Sequence, residues 1–506
     1  MKNERKIGVV LSYASIAIST LVQLLYTPYL IKSLGQSEFG LYSLISSIIS
    51  YLTILDLGFG NALVVYTSKY RAQGKIEEEK KLHGMFFLIF CFVGFVATIL
   101  GFILYYNLDL FFGKTMTSLE IQKAKIMMLI LTFNLAITFP FSIYSSIINA
   151  YEKFTYQKFV AILSTLIKPF IMIPLLMIGF KSITMTIVIT VVNIVVLLSN
   201  YIYCRKELGV RVRYSGFNTK LFKTIFAYSF FIFLGVIVDK INWSVDQFIL
   251  GTVSGTIAVS VYSAASQINT LFVNLSTAMS GVLLPKISKM VANNADDAVL
   301  TEEFIKVGRL QFLVLFLMVS GLVLFGHEFF ITWAGPEYSE SYLIAIILTV
   351  PLLVPLIQNL GISILQAKNL HKFRSVLYVV IAMVNVFLSI PLAKAYGGIG
   401  SACGTAISLI IGNIIIINIY YHKRAGLNIK KFWKVILKMC VPFLIPICFV
   451  LVLKSLISLK GIIHIVVFGS IYTILYSIIA YLYVLNSYEK EIVDKILIRF
   501  HLRRKG

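Results

Sequence analysis

The fold class this chain predicts is an all-α polytopic membrane protein with about fourteen transmembrane helices. Three observations carry that prediction. First, 58% of the 506 residues are hydrophobic and only 13% are charged, where a soluble domain averages about 25% charged; the excess apolar surface needs lipid to face. Second, the apolar runs have the length of bilayer-spanning helices, about 20 residues. Third, basic residues alternate in density from loop to loop, which is how membrane proteins fix their orientation. The net charge of +23 sits in those loops and not on a folded basic face, so no nucleic-acid partner is expected. The five cysteines (Cys91, Cys204, Cys403, Cys440, Cys448) have no metal-binding spacing. Four of them lie in apolar runs and read as packing residues.

The first apolar run, 7–31, follows the charged start Met-Lys-Asn-Glu-Arg-Lys. It exceeds the roughly 7–15 apolar residues of a signal peptide, so it reads as the first helix, with the N-terminus inside. Spans follow near 40–68, 83–106, 124–149, 158–180 and 182–204, the last two joined tightly at Phe180. A second series runs 224–250, 257–285, 308–332, 341–366, 374–396 and 398–421, with another tight junction at Gly397. Two more spans, 435–453 and 461–485, close the set. Take the N-terminus, every second loop and the C-terminus as one side. That side holds 35 of the 45 Lys and Arg residues and the other side 8, with Lys168 and Lys240 inside spans. An even number of spans with both termini cytoplasmic follows. No loop has the ~50 residues a soluble domain needs.

The two series echo each other. A shift of 220 residues lays Tyr42-Ser43 on Tyr262-Ser263, Gly35 on Gly255 and Ser68-Lys69 on Ser288-Lys289. A shift of 217 lays Ala150 on Ala367 and Ile173-Pro174-Leu175 on Ile390-Pro391-Leu392. Each unit has six spans, so both enter the membrane the same way, as two parallel bundles. The expected domains are 1–210, 211–425, and 426–506 as an extra helix pair with a basic cytoplasmic tail.

Ionisable residues in mid-span mark a cavity or pathway by default. Here they are Asp56, Lys168, Asp239, Lys240 and Asp246. Lys168 stands about ten residues, ~15 Å, into its span, and Pro169 behind it frees a backbone carbonyl. Two readings compete for it: a stem snorkelling to the interface, or a cavity. Asp239, Asn242 and Asp246 fall on one helical stripe with Trp243 at its border; a structural network between helices is the rival reading. Gln23 in the first span and Gln267 and Asn274 in the eighth extend hydroxyl and amide stripes on repeat-equivalent helices, as expected if both halves line one cavity. Any single Ser or Thr in those stripes reads equally as glue between helices. Gly400, Gly404, Ser408 and Gly412, at four-residue spacing, read as tight helix packing. The chain has no Walker A sequence and no H-E-x-x-H or G-x-S-x-G motif, so neither an enzyme nor an ATP engine is expected. No catalytic residue, metal site or cofactor is assigned.

Six segments then carry a resemblance. They are Leu-Gly-Gln-Ser-Glu-Phe-Gly at 34–40, Leu-Asp-Leu-Gly-Phe-Gly-Asn-Ala at 55–62 and Asn-Ala-Tyr-Glu-Lys-Phe at 149–154. Further on come Asp-Gln-Phe-Ile-Leu-Gly at 246–251, Val-Tyr-Ser-Ala-Ala at 261–265 and Tyr-Gly-Gly-Ile-Gly-Ser-Ala at 396–402. In order and spacing they resemble the polysaccharide-lipid flippases, the Wzx-type (O-antigen, capsule or teichoic-type) branch of a superfamily that also holds the lipid II flippases and the multidrug (MATE) exporters. The resemblance implies a MATE-like pair of bundles in the bacterial cytoplasmic membrane. It implies movement of an undecaprenyl-diphosphate-linked oligosaccharide from the inner to the outer leaflet by alternating access. The partners so implied are the lipid-linked oligosaccharide, membrane lipids and the polysaccharide polymerase machinery. Hydroxyls and amides would meet the sugar. Lys168 and Lys240 would meet the diphosphate, with Lys69, Arg71, Lys286 and Lys289 capturing it on entry. For those four, simple positive-inside bias is the competing account. Asp56, Asp239 and Asp246 outnumber the two mid-span lysines, so a strongly cationic lumen is not evident. That balance keeps two alternatives in play: a cation-coupled multidrug exporter and a lipid II flippase.

Overall fold

The computed structural model describes residues 2–212, 216, 218–281, 283–293, 295–368, 370–457 and 461–499, with some side chains inside these ranges left undescribed. Every regular element among the described residues is helical. Inside a bilayer the backbone has no water to bond to, and a helix satisfies each N–H and C=O within its own segment.

The chain divides into two compact units. Unit 1 comprises Met1–Ser263 and Tyr378–Gly404; unit 2 comprises Ala264–Leu377 and Thr405–Gly506. The helices of the first stretch are α1 (Lys2–Leu34), α2 (Gln36–Leu52), α3 (Phe59–Ala72), α4 (Ile76–Tyr106), α5 (Leu108–Phe112), α6 (Ser118–Ala150), α7 (Phe154–Met177), α8 (Ser182–Lys206) and α9 (Thr219–Val253). α10 (Gly255–Gly281) crosses into unit 2 along the chain. Then come α11 (Leu284–Ala292), α12 (Asp297–Trp333), α13 (Glu340–Ile357), α14 (Leu360–Ala367) and α15 (His371–Leu409). A π-helical stretch, Ile410–Ile416, leads to α16 (Ile417–Lys423), α17 (Ile429–Leu456), α18 (Gly461–Ile479) and α19 (Ser487–Arg499).

Eleven helical segments are long and apolar enough to cross a membrane, counting only the described residues. The expected spans 374–396 and 398–421 fall within one of them, Phe373–Lys423. Tyr396 (φ −133°, ψ 15°) and Gly397 (φ 56°, ψ −133°) break α15 where the sequence placed the junction. Gly397 is required there because its left-handed φ is strained for any residue with a Cβ. The second limb of α15 then packs its glycines against the first. A Cβ on Gly400 would collide with the Leu392 carbonyl, and one on Gly404 with Ser389.

The sequence reading ran the second span unbroken over 40–68. The structure interrupts it: a 3-10 turn, Thr53–Asp56, gives way to left-handed Leu57 (φ 51°) and Gly58 (φ 74°) before α3 begins. The loop expected between 286 and 309 also holds a helix, α11.

In unit 1, α4 and α8 pack on α6, and α1 packs on α7. Leu41, Leu44, Ala62, Leu82, Phe86 and Met127 are closed to solvent in its core. In unit 2, α12 packs on α13, α17 and α18. Phe443 stacks on Tyr476 with centroids 4.0 Å apart. Lipid tails are as apolar as these side chains, so close van der Waals fit and interhelical hydrogen bonds hold such helices together. α19 is docked by an ion pair: the Arg309 guanidinium grips both oxygens of buried Glu489, each at 2.7 Å.

Candidate functional site

Asp246 lies on the last third of α9 and is 2% exposed. Its carboxylate accepts a hydrogen bond from the Tyr262 hydroxyl of α10 at 2.6 Å and another from the Ser401 hydroxyl of α15 at 2.7 Å. Beside it, the Gln247 amide donates to the Ser263 hydroxyl at 3.1 Å. The Tyr51 hydroxyl is buried without a hydrogen-bond partner among the described residues and lies within electrostatic reach of Asp246. Three of the six segments singled out above, 246–251, 261–265 and 396–402, therefore meet at one carboxylate. Sequence alone placed Asp246 on a stripe with Asp239 and Asn242; its real partners are 16 and 155 residues away.

Asp56 has a different local role. It ends the 3-10 turn at the break, and its carboxylate faces the start of α3, with both oxygens 3.7 Å from where a Cβ on Gly60 would stand. An acidic group at a helix N-terminus satisfies orphan donors and faces the positive end of the dipole.

Lys168 is half-buried on α7 and has no hydrogen-bond or ion-pair partner among the described residues. On the same helix, the Tyr29 hydroxyl of α1 reaches the Ile173 carbonyl at 3.5 Å. Gln23, on α1, is half-buried and engaged. In unit 2, Gln267 is likewise half-buried and engaged, whereas Asn274 is exposed. The side chains of Asp239 and Lys240 lie outside the described residues.

Of the four expected entry cations, two belong to unit 1 and two to unit 2. Lys69 and Arg71 are exposed at the end of α3. Arg71 lies 3.5 Å over the ring of Tyr151, and the Tyr151 hydroxyl donates to buried Glu79 at 2.8 Å. Burial pushes the Tyr151 phenol up to about 12, and its bond to Glu79 acts in the same direction, so it remains a donor at neutral pH. In unit 2, Lys286 is ion-paired with Glu303 at 2.6 Å and Lys289 is exposed.

Sequence reasoning missed a polar cluster in unit 1. Glu38 is ion-paired with Lys123 and accepts the Ser182 hydroxyl. Next to it in sequence, Ser37 donates to Glu120 at 2.6 Å, and Thr256 donates to the same carboxylate at 2.7 Å. A Cβ on Gly40 would collide with the Thr256 carbonyl. The available signal was the segment 34–40 itself, whose Ser37 and Glu38 side chains and closing Gly40 all make contacts across the unit. No group of three or more His, Cys, Asp or Glu able to hold a metal occurs among the described residues.

Residues 7–291 match the family described as polysaccharide biosynthesis protein. An inferred O-antigen transporter of Shigella flexneri is 22% identical over 421 residues, covering 79% of this chain and 94% of that protein. Among solved structures, the lipid II flippase MurJ in an inward closed conformation superposes with a TM-score of 0.72 at 18% identity, over 98% of this chain and 99% of MurJ. An inward-facing multidrug resistance MATE family transporter of the MOP superfamily gives 0.63 at 14% identity, over 84% of this chain and 99% of that one. The fold is therefore MATE- and MurJ-like.

Proposed function

The chain belongs to the polysaccharide biosynthesis protein family, and from that premise we propose that it is a flippase for undecaprenyl-diphosphate-linked oligosaccharide repeat units. It carries them from the inner to the outer leaflet of the cytoplasmic membrane by alternating access, for surface polysaccharide synthesis. It is a multi-pass membrane transporter and not an enzyme. The finer architecture belongs to the same proposal: fourteen spans as two six-helix bundles, 1–210 and 211–425, then the pair and tail of 426–506, with both termini cytoplasmic.

The observation that supports this reading is Lys168. An ammonium in mid-span without a partner among the described residues is costly. A diphosphate passing it would supply the missing charge through charge-assisted hydrogen bonds. In unit 1, Gln23 and the α9 residues Asp239 and Lys240 are assigned to the head-group path. In unit 2, Gln267 and Asn274 are assigned to the sugar. The lipid tail stays in the bilayer, where its burial needs no help from the protein, while the head group is the part that needs polar walls.

Deleting the gene in its host tests the proposal. The expected result is loss of surface polysaccharide, with the lipid-linked unit accumulating on the inner leaflet. Normal polysaccharide together with new sensitivity to cationic drugs would overturn it in favour of a multidrug exporter.

A further inference from the structure

Three candidate spans come to a common end in unit 1. Gln36–Ala72 and Ser118–Ala150 finish there, and Phe154–Met177 begins there. The distribution of basic residues assigns this end to the cytoplasm. A recess of about 460 Å³ opens between them, lined by Ser68, Arg71, Ala150, Tyr151, Glu152 and Lys153.

Its cationic side is built. The Arg71 guanidinium is held face-on against Tyr151 at 3.5 Å, and Tyr151 is in turn fixed by its hydrogen bond to Glu79. Stacking occupies the face of a guanidinium and leaves its edge N–H fork for a planar or tetrahedral oxyanion. Lys153 lines the recess from the opposite chain segment, where left-handed Glu152 (φ 57°) turns the backbone between Tyr151 and Lys153; Glu152 and Lys153 are both engaged within the protein. The first turn of α7 starts at the recess edge with no side-chain cap.

A basic residue that served only to orient the chain would need none of this. Loose charge in a loop suffices for topology, and fixing a long side chain costs conformational entropy. We propose that this recess docks the phosphates of a lipid-borne head group at the cytoplasmic leaflet, namely the diphosphate of the lipid-linked sugar before it enters the translocation path. The inference rests on the flippase reading for the identity of that lipid.

The test is binding of farnesyl diphosphate to the full chain in nanodiscs of phosphatidylethanolamine, with phosphatidylglycerol and inorganic pyrophosphate as competitors. Arg71→Ala is expected to weaken binding roughly tenfold or more. Arg71→Lys, which keeps the charge and loses the fork, should weaken it nearly as much. Tyr151→Phe keeps the stacking ring and should weaken it less. Lys75→Ala, which removes an exposed cation from the same end of the unit, should leave affinity within about twofold. Equal losses for Arg71→Ala and Lys75→Ala, or unchanged binding in Arg71→Lys, would overturn the built site. Equal competition by phosphatidylglycerol would overturn the diphosphate assignment. The two proposals fail separately. Trapped lipid-linked sugar in the deletion strain with binding indifferent to Arg71 breaks this inference alone. Arg71-dependent binding with normal surface polysaccharide breaks the flippase reading alone.

Discussion

Asp246 and Lys168 pose the same problem to the bilayer and answer it differently. Both are ionisable and both stand within apolar helices of unit 1. Asp246 is closed to solvent and gripped by hydroxyls from α10 and α15. Lys168 is half-open and has no partner among the described residues. A satisfied buried carboxylate joins helices; a cation with no partner among the described residues is open to a ligand. Depth in the membrane thus identifies a costly residue, but only its partners say whether the cost is met by structure or by a ligand.

The comparison can be broken by substitution. The largest stability effect should come from Asp246→Ala, which takes the shared acceptor from the Tyr262 and Ser401 hydroxyls. A loss of about 2–3 kcal/mol is expected, read as a lowered unfolding temperature in detergent. If the variant is instead as stable as wild type and inactive, Asp246 is a working group and the contrast collapses. Lys168→Ala should show the reverse pattern. It should slow delivery of the lipid-linked unit at least about tenfold while changing stability by no more than about 0.5 kcal/mol, with Lys168→Arg retaining part of the rate. Equal transport in Lys168→Ala would make the residue a snorkelling side chain. Tyr262→Phe, which removes one hydroxyl donor to Asp246 and keeps the ring, should cost about 1 kcal/mol or less. Combined with Ser401→Ala in a double-mutant cycle, it measures whether the two hydroxyls act as one unit.

Much of the architecture was legible in the chain, for a physical reason. A segment in lipid must be helical and apolar over a set length, so hydropathy reports spans more faithfully than periodicity reports soluble helices. The α15 junction at Gly397 was visible because a left-handed turn needs glycine. The break at Leu57 and Gly58 carried a comparable signal, Asp-Leu-Gly-Phe-Gly at 56–60. The apolar run that continues on both sides conceals it. The site was less legible. Mid-span charge pointed to Asp56, Lys168 and Asp246, but a helical stripe gives the direction of a side chain and not what it meets. Asp56 meets its own helix start, and Asp246 meets residues that only the fold brings near. The pairing of Glu38 with Lys123 and Ser182 had no local signature either, since 85 and 144 residues separate the partners.

The turn at Tyr396 and Gly397 has a consequence for how the chain is made. Residues 373–423 present the insertion machinery with 51 residues of nearly continuous apolar sequence, more than twice what one crossing of a bilayer takes up. So short a turn leaves no loop in which a basic cluster could choose a side. The two limbs must leave the translocon together as a hairpin. The place where the growing chain doubles back is set by one glycine's backbone.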